Sequence, residues 1–296
     1  IMPVTAAQVK DLREKTGAGM LDCKNALTAT DGDMEKAIDW LREKGIAKSV
    51  KKASRIAAEG LSKVKIDGNK AAIVEINSET DFVAKNEQFL ALLDSATSTI
   101  LAGEPADNDA ALALPVNGAT LNDEFVNATA TIGEKIVLRR FEIVKKNDDE
   151  IFGEYTHMGG QKTSIVVLKG GNADLAHYIA MQVASMTPQY VSAADMPADV
   201  VERERKVQTE IVKNDEKFAG KPEQVINGAI EGKVSKALKD MCLVDQEYFM
   251  DTNKKVSAVL KENNAEVVKF ARYTVGEGIE KREENFAEDV AKQMNV

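Results

Sequence analysis

Leu61-Ser62-Lys63-Val64-Lys65-Ile66-Asp67-Gly68-Asn69-Lys70-Ala71-Ala72-Ile73-Val74-Glu75-Ile76 matches the pattern of a tight hairpin, with strands Leu61 to Ile66 and Ala71 to Ile76 joined at Asp67-Gly68-Asn69. A helix is expected next, carrying Phe82, Phe89, Leu93, Ala96 and Ile100 on one face. The pattern recurs 92 residues later, where Gly160-Gln161-Lys162-Thr163-Ser164-Ile165-Val166 lines up with Gly68-Asn69-Lys70-Ala71-Ala72-Ile73-Val74. A helix through Leu175, Ile179 and Val183 again follows. Two strand-strand-helix units predict an α+β fold with a duplicated core of antiparallel sheets.

Toward the amino terminus, Thr5 and Gln8 form a capping box and Ala6, Val9 and Leu12 an apolar stripe, with Gly17 ending the helix. After Thr16-Gly17-Ala18-Gly19, the residues Met20, Cys23 and Leu27 recur at helical spacing. Asp33 can cap a third helix bearing Met34, Ala37, Ile38 and Leu41, which Gly45 is expected to stop. Lys48, Lys51, Lys52 and Arg55 read as a solvated basic linker, so residues 1–55 form a small three-helix bundle with its tail. Ile1, standing ahead of Met2, is unusual for a natural start and is left out of the reading.

Residues 56–146 make the first core unit. Gly103 through Gly118 reads as a surface loop before a short helix at Asn122 to Ala130 and a strand at Ile136 to Val144. The second core unit takes residues 147–190 and 244–278, including an extended Tyr248-Phe249-Met250, a helix around Val256 to Leu260 and a strand Val267 to Val275. Between its halves, 191–243 holds two charged helices, Pro197 to Val212 and Pro222 to Met241. Val200, Val207 and Ile211 line the seam of the first helix, and Ile226, Ile230, Val234 and Leu238 that of the second. Such narrow seams fit a protruding antiparallel helical hairpin. A carboxyl-terminal module, 279–296, carries a last helix with Phe286, Val290 and Met294.

Composition narrows the function. Among 296 residues, 39 are basic and 48 acidic, and the net charge of −9 repels phosphate backbones, so a protein partner is expected rather than nucleic acid. No apolar run is long enough to span a bilayer and the start lacks a signal-peptide pattern, which points to the cytoplasm and away from membranes. Cys23 and Cys242 lie too far apart in sequence, and too few, to build a disulfide framework or a four-ligand metal site. They read as reduced, buried packers. With only His157 and His177 and no serine elbow, acid-base or nucleophilic catalysis is poorly supplied. Gly159-Gly160-Gln161-Lys162-Thr163 fails the phosphate-loop spacing and reads as a turn. No catalytic residue, metal or cofactor is expected.

Three stretches carry a resemblance: Thr16-Gly17-Ala18-Gly19-Met20 with Asp22-Cys23-Lys24 and Ala26-Leu27, then Thr80-Asp81-Phe82-Val83-Ala84-Lys85, then Gly276-Glu277-Gly278-Ile279-Glu280-Lys281. Together they resemble the signature stretches of bacterial elongation factor Ts, along the length of the chain. That resemblance implies a ubiquitin-associated-like bundle and a guanine-nucleotide exchange factor acting without catalysis. The implied partner is elongation factor Tu, a GTPase of translation, and the reaction aided is GDP release. It also implies that Thr80, Asp81, Phe82 and Val83 dislocate the partner's Mg²⁺. Phe82 would wedge between two partner helices while Asp81 fixes the wedge. Read alone, the same residues would be a helix cap at Asp81 and the start of a core stripe at Phe82.

By the same resemblance, Arg13, Met20, Leu21 and Lys24 meet the GTPase domain, Leu21 standing where relatives often have Met. Met20 could equally be bundle core and Arg13 a surface charge. His157 is implied to face another partner domain, against an ordinary hairpin polar residue. Phe249 and Met250 are implied to touch the partner, Phe249 in place of a smaller residue. The hairpin is expected to serve partner contact or self-association. A generic adaptor docking one helical peptide on its bundle and a small-molecule enzyme are the competing readings. The adaptor would lose all binding without residues 1–55, and the enzyme would bind a metabolite with no GTPase present.

Overall fold

Thr5 and Gln8 close the expected box: the Thr5 amide donates to Gln8 Oε1 at 3.0 Å and the Gln8 amide to Thr5 Oγ1 at 3.3 Å. Helix α1 (Ala6–Thr16) follows, then α2 (Met20–Ala29) and α3 (Met34–Lys52), the last capped by Asp33, whose carboxylate accepts from the Lys36 amide at 3.1 Å. A computed structural model supplies these coordinates and describes residues 4–16 and 18–280. Gly17, Lys281 and the expected last helix through Phe286, Val290 and Met294 lie outside the described residues. The bundle closes over Leu12, Cys23, Ala26, Leu27 and Ala37, all fully buried. Trp40 packs partly buried against this cluster, with the Lys44 ammonium 5.4 Å from its ring centroid.

Several expectations fail in the bundle, among them Met20 and Ile38, which were placed on apolar helix faces and are exposed. Ala6 is exposed, so the buried stripe of α1 is Val9 and Leu12. Gly45 does not stop α3, and Lys48, Lys51 and Lys52 are helical rather than linker. Glycine costs a helix interior about 1 kcal/mol, which tertiary packing readily offsets. The bare face of Gly45 meets Val126 and Ala130, Lys48 pairs with Asp22 at 2.8 Å, and Lys51 and Lys52 favour the negative end of the helix dipole.

By internal contacts the chain divides into two units. Of the described residues, the first takes those up to Val144, Met158–Lys162 and 273–280, and the second takes Lys145–His157 and Thr163–Arg272. In the first unit, β1 (Glu59–Asp67) and β2 (Lys70–Ser78) pair antiparallel with Asp67 opposite Lys70, which leaves Gly68 and Asn69 as the turn. Helix α4 (Glu87–Gly103) starts at an Asn86 cap whose side chain accepts from the Gln88 amide at 2.8 Å. Between Gly103 and Gly118, expected as loop, lie α5 (Asn108–Leu112) and β3 (Pro115–Val116), which pairs with β4 (Ala119–Thr120). Asp107 caps the short helix, a local signal that a reading for small polar residues passes over. Helix α6 (Leu121–Ile132) and strand β5 (Val137–Lys145) complete the unit, whose sheet runs β1-β2-β5. Its core gathers Val74, Ile76, Phe89, Ala96, Ile100 and Leu121.

Glu75, on the central strand, is fully buried, and a lone charge there would be prohibitive. Arg139 Nη1 donates to it at 2.8 Å, Arg140 Nε at 2.6 Å and the Gly276 amide at 2.9 Å. Gly276 sits at φ 72°, and a Cβ there would meet the Ala58 carbonyl oxygen at 2.1 Å. This signature glycine is therefore demanded by the fold.

The second unit contains β6 (Glu150–His157), β7 (Lys162–Lys169) and α7 (Ala173–Met186). There follow α8 (Ala198–Lys213), α9 (Glu223–Asp240), β8 (Glu247–Tyr248), β9 (Asp251–Lys255), α10 (Val256–Glu262) and β10 (Glu266–Thr274). Its sheet runs β10-β7-β6, so here too the second strand is central and a helix follows it. Gly153 lets α7 lie directly on β6, since a Cβ there would be 2.1 Å from the Ala176 carbonyl oxygen. Helices α8 and α9 pack through Val212, Ile230 and Val234, with Arg205 paired to Glu231. Val207 and Ile211 do not line that seam but are exposed. The face of α8 that starts at Val200 and ends at Val212 passes through Glu204 and Gln208, which bond each other at 2.7 Å, so its middle is polar. Phe249 and Met250 are not extended: they form the turn between β8 and β9, because Tyr248 pairs with Asp251.

Candidate functional site: two presented turns and a basic-rimmed groove

Strand β2 ends at Ser78, and the next five residues are held in detail. The Ser78 hydroxyl donates to the Thr80 carbonyl at 3.0 Å. The Thr80 amide and hydroxyl donate to the two carboxylate oxygens of Glu134 at 3.0 and 2.7 Å. A single 3-10 turn, Val83–Lys85, then leads to the Asn86 cap. Val83 and Ala84 enter the core of the first unit, whereas Phe82, one residue earlier, is 79% exposed.

Phe82 is thus not on the α4 stripe, and Asp81 does not cap α4. The Asn86 cap separates Phe82 from the helix, and the buried face consists of Phe89, Leu92, Leu93, Ala96, Thr97, Ile100 and Leu101. An exposed phenyl ring contributes little to folding, and its apolar surface is available to another molecule. Phe82 holds an ordinary helical backbone, φ −64° and ψ −41°, so its projection requires no strain.

On the bundle, Met20 and Leu21 at the start of α2 are 62% and 71% exposed. With Val4, Ala6 and Val9 they line an open groove whose rim carries Lys10, Arg13 and Lys24. Met20 is therefore not bundle core. An apolar floor ringed by three cations suits an apolar segment bearing acidic groups.

In the second unit, His157 is exposed at the end of β6, its Nδ1 3.0 Å from the Tyr155 hydroxyl and its ring stacked on Tyr155 at 5.9 Å. His177 meets Tyr155 edge-on at 5.8 Å, and its Nδ1–H donates to the Glu154 carbonyl at 2.8 Å. Both histidines of the chain thus converge on one tyrosine, which sequence reading missed because the two lie on different elements. Met250 is 56% exposed, and Phe249 is half-buried edge-on to Tyr248 at 5.5 Å. The Phe249 amide donates to Oε1 of the fully buried Gln182 at 2.9 Å, and Gln182 Nε2 donates to the Glu247 carbonyl at 3.0 Å.

Burial raises the Cys23 thiol above its ordinary value and pushes Cys242 up to about 11, so both stay protonated near neutrality and are poor nucleophiles. Among the described residues, no three His, Cys, Asp or Glu side chains are grouped to hold a metal, and no helix is long and apolar enough to cross a membrane.

Comparison with known proteins identifies the family. The family described as Elongation factor TS matches residues 79–277, beginning one position before Thr80. This chain belongs to the elongation factor Ts family. Elongation factor Ts of Oenococcus oeni is 50% identical over 292 residues, covering 99% of each chain. Elongation factor Ts of Levilactobacillus brevis is 48% identical over 293 residues, covering 99% of this chain and 98% of that protein. These elongation factor Ts matches extend over the bundle as well, which the family match from residue 79 does not include. The chain is accordingly an elongation factor of protein synthesis.

Thr80-Asp81-Phe82-Val83 was one of the three stretches that together signalled elongation factor Ts membership. The side chains that hold these residues in place, Glu134 above all, had no such signal. Glu134 is 54 residues from Thr80 and sits in an unremarked connection between α6 and β5.

Proposed function

We propose that this chain is a guanine-nucleotide exchange factor for elongation factor Tu that works by binding, without covalent chemistry. The observation that carries the reading is Phe82, 79% exposed directly beside the buried Val83. GTPases hold GDP through main-chain amides around the phosphates and through Mg²⁺, so a partner speeds release by favouring a conformation in which those contacts are lost. Burying a phenyl ring between two partner helices yields about 2–3 kcal/mol, enough to bias such an equilibrium by some fiftyfold. Asp81, exposed beside it, fixes the wedge and disturbs the Mg²⁺ environment.

The groove of Arg13, Met20, Leu21 and Lys24 supplies a second contact with the GTPase domain. His157 supplies a contact with another partner domain, and Phe249 and Met250 supply further contacts with the partner. The bundle as a ubiquitin-associated-like module, the core as a duplication and α8–α9 as a hairpin for partner contact or self-association belong to the same proposal. So do the segment boundaries given above, the cytoplasmic setting and the absence of direct nucleic-acid binding. The test is stopped-flow release of a fluorescent GDP from elongation factor Tu. Phe82→Ala should slow stimulated release by about tenfold, equivalent to ~1.4 kcal/mol of coupling. A folded Phe82→Ala protein with full activity would refute the wedge.

A further inference from the structure

Glu134 and Lys135 occupy the connection between α6 and β5, yet both reach the base of the Phe82 turn. The two carboxylate oxygens of Glu134 take both donors that Thr80 offers, its amide at 3.0 Å and its hydroxyl at 2.7 Å. The Lys135 amide donates to Glu79 Oε1 at 2.6 Å, and Arg55 Nη1 reaches the same oxygen at 3.3 Å. The Lys135 ammonium donates to the carbonyls of Ala53 and Arg55, at 2.7 and 2.8 Å, just past the end of α3. Two consecutive residues thus tie down both positions that precede Asp81 and anchor them to the end of the bundle's last helix.

We infer that Glu134 is the positioning residue of nucleotide exchange: its carboxylate fixes the Thr80 backbone so that Phe82 stands outward before the partner arrives. The inference rests on the wedge reading of Phe82. On the carboxyl side, the turn is anchored by Val83 and Ala84 in the core, so Phe82 and Asp81 lie between two fixed points. Removing the Glu134 anchor frees the residues on one side. Ordering a backbone costs about 1–2 kcal/mol per residue, and a turn left loose must meet that cost upon binding. Glutamate suits the place because two donors face it, and a carboxylate accepts twice with charge assistance. Glutamine keeps most of the arrangement, since its oxygen can accept from the Thr80 amide and its NH₂ can donate to the Thr80 hydroxyl oxygen.

A double-mutant cycle with Phe82 tests this in the full-length chain, read as the saturating rate of fluorescent GDP release from elongation factor Tu. Glu134→Ala should lower that rate about fivefold in the wild-type background and by less than about 1.5-fold in Phe82→Ala, because it acts through the ring. Glu134→Gln should stay within about twofold of wild type. Equal losses in both backgrounds, or a wild-type rate for Glu134→Ala while Phe82→Ala is slow, would overturn the positioning role and leave the wedge standing. A wild-type rate for Phe82→Ala sinks the wedge itself. If Glu134→Ala fails to fold, Thr80→Val serves instead. It keeps the branched shape and the amide but loses the hydroxyl donor, and its effect, about twofold, should again vanish in Phe82→Ala. An undiminished rate for Thr80→Val would then count against Glu134.

Discussion

The turn carrying Phe82 and the turn carrying Phe249 and Met250 each receive a side chain that reaches in from a neighbouring element and accepts a main-chain N–H. The first clamp, Glu134, is a half-buried carboxylate facing two donors. The second, Gln182, is a fully buried amide facing one donor and the carbonyl of Glu247. What each turn offers selects the clamp: two donors call for an acceptor-only group, whereas a donor and an acceptor call for an amide. Burial without a pairing cation decides the charge: the fully buried Glu75 is held by Arg139 and Arg140, whereas a carboxylate at Gln182 would face only the Phe249 amide and acceptor oxygens. The turns also differ in what they present, for Phe82 stands clear of its unit while Phe249 leans on Tyr248 and only Met250 is well exposed.

Exchanging the clamp chemistry should hurt one side only. Gln182→Glu places a carboxylate against the Glu247 carbonyl and Gln246 Oε1 and should cost about 3 kcal/mol, read as a lowered denaturation midpoint by circular dichroism. A loss below about 1 kcal/mol would show that burial does not distinguish the clamps. Within the first turn, Val83→Ala should lower stability by about 1–2 kcal/mol, while Phe82→Ala changes it by less than about 0.5 kcal/mol. The order reverses for exchange, and a Phe82→Ala protein that melts like Val83→Ala would place the ring in this chain's own core. The smallest effect belongs to the second turn: Met250→Ala should weaken partner affinity about threefold in calorimetric titration, less than Phe82→Ala slows exchange. A larger loss at Met250 would shift the main contact to the second unit.

The contrast also explains what could be read from the sequence. The hairpin at Gly68-Asn69, the caps at Thr5 and Asp33 and the buried stripes of α4 and α7 were legible, because strand pairing, capping and helical periodicity are written within a few residues. Phe82 was misplaced on the α4 stripe because its seven-residue spacing to Phe89 mimics two helical turns. Asn86, a standard cap residue between them, was the overlooked signal. Gly45 was misread because packing on α6 outweighs its poor helix preference, and the α8 seam because the face running from Val200 to Val212 is polar in its middle, at Glu204 and Gln208. Neither clamp could be found locally, since Glu134 lies 54 residues from Thr80 and Gln182 lies 67 from Phe249. The resemblance pointed to the side chains that are presented. It was silent on those that hold them.

Trp40, packed beneath Lys44 on α3, is the only tryptophan in the chain, and all five tyrosines, 155, 178, 190, 248 and 273, fall outside the bundle. The molecule thus carries two optical labels already sorted by region. Red-edge excitation of the indole follows the bundle alone, and tyrosine emission follows the core, so melting or docking of either part can be watched in the unmodified chain without attaching a dye.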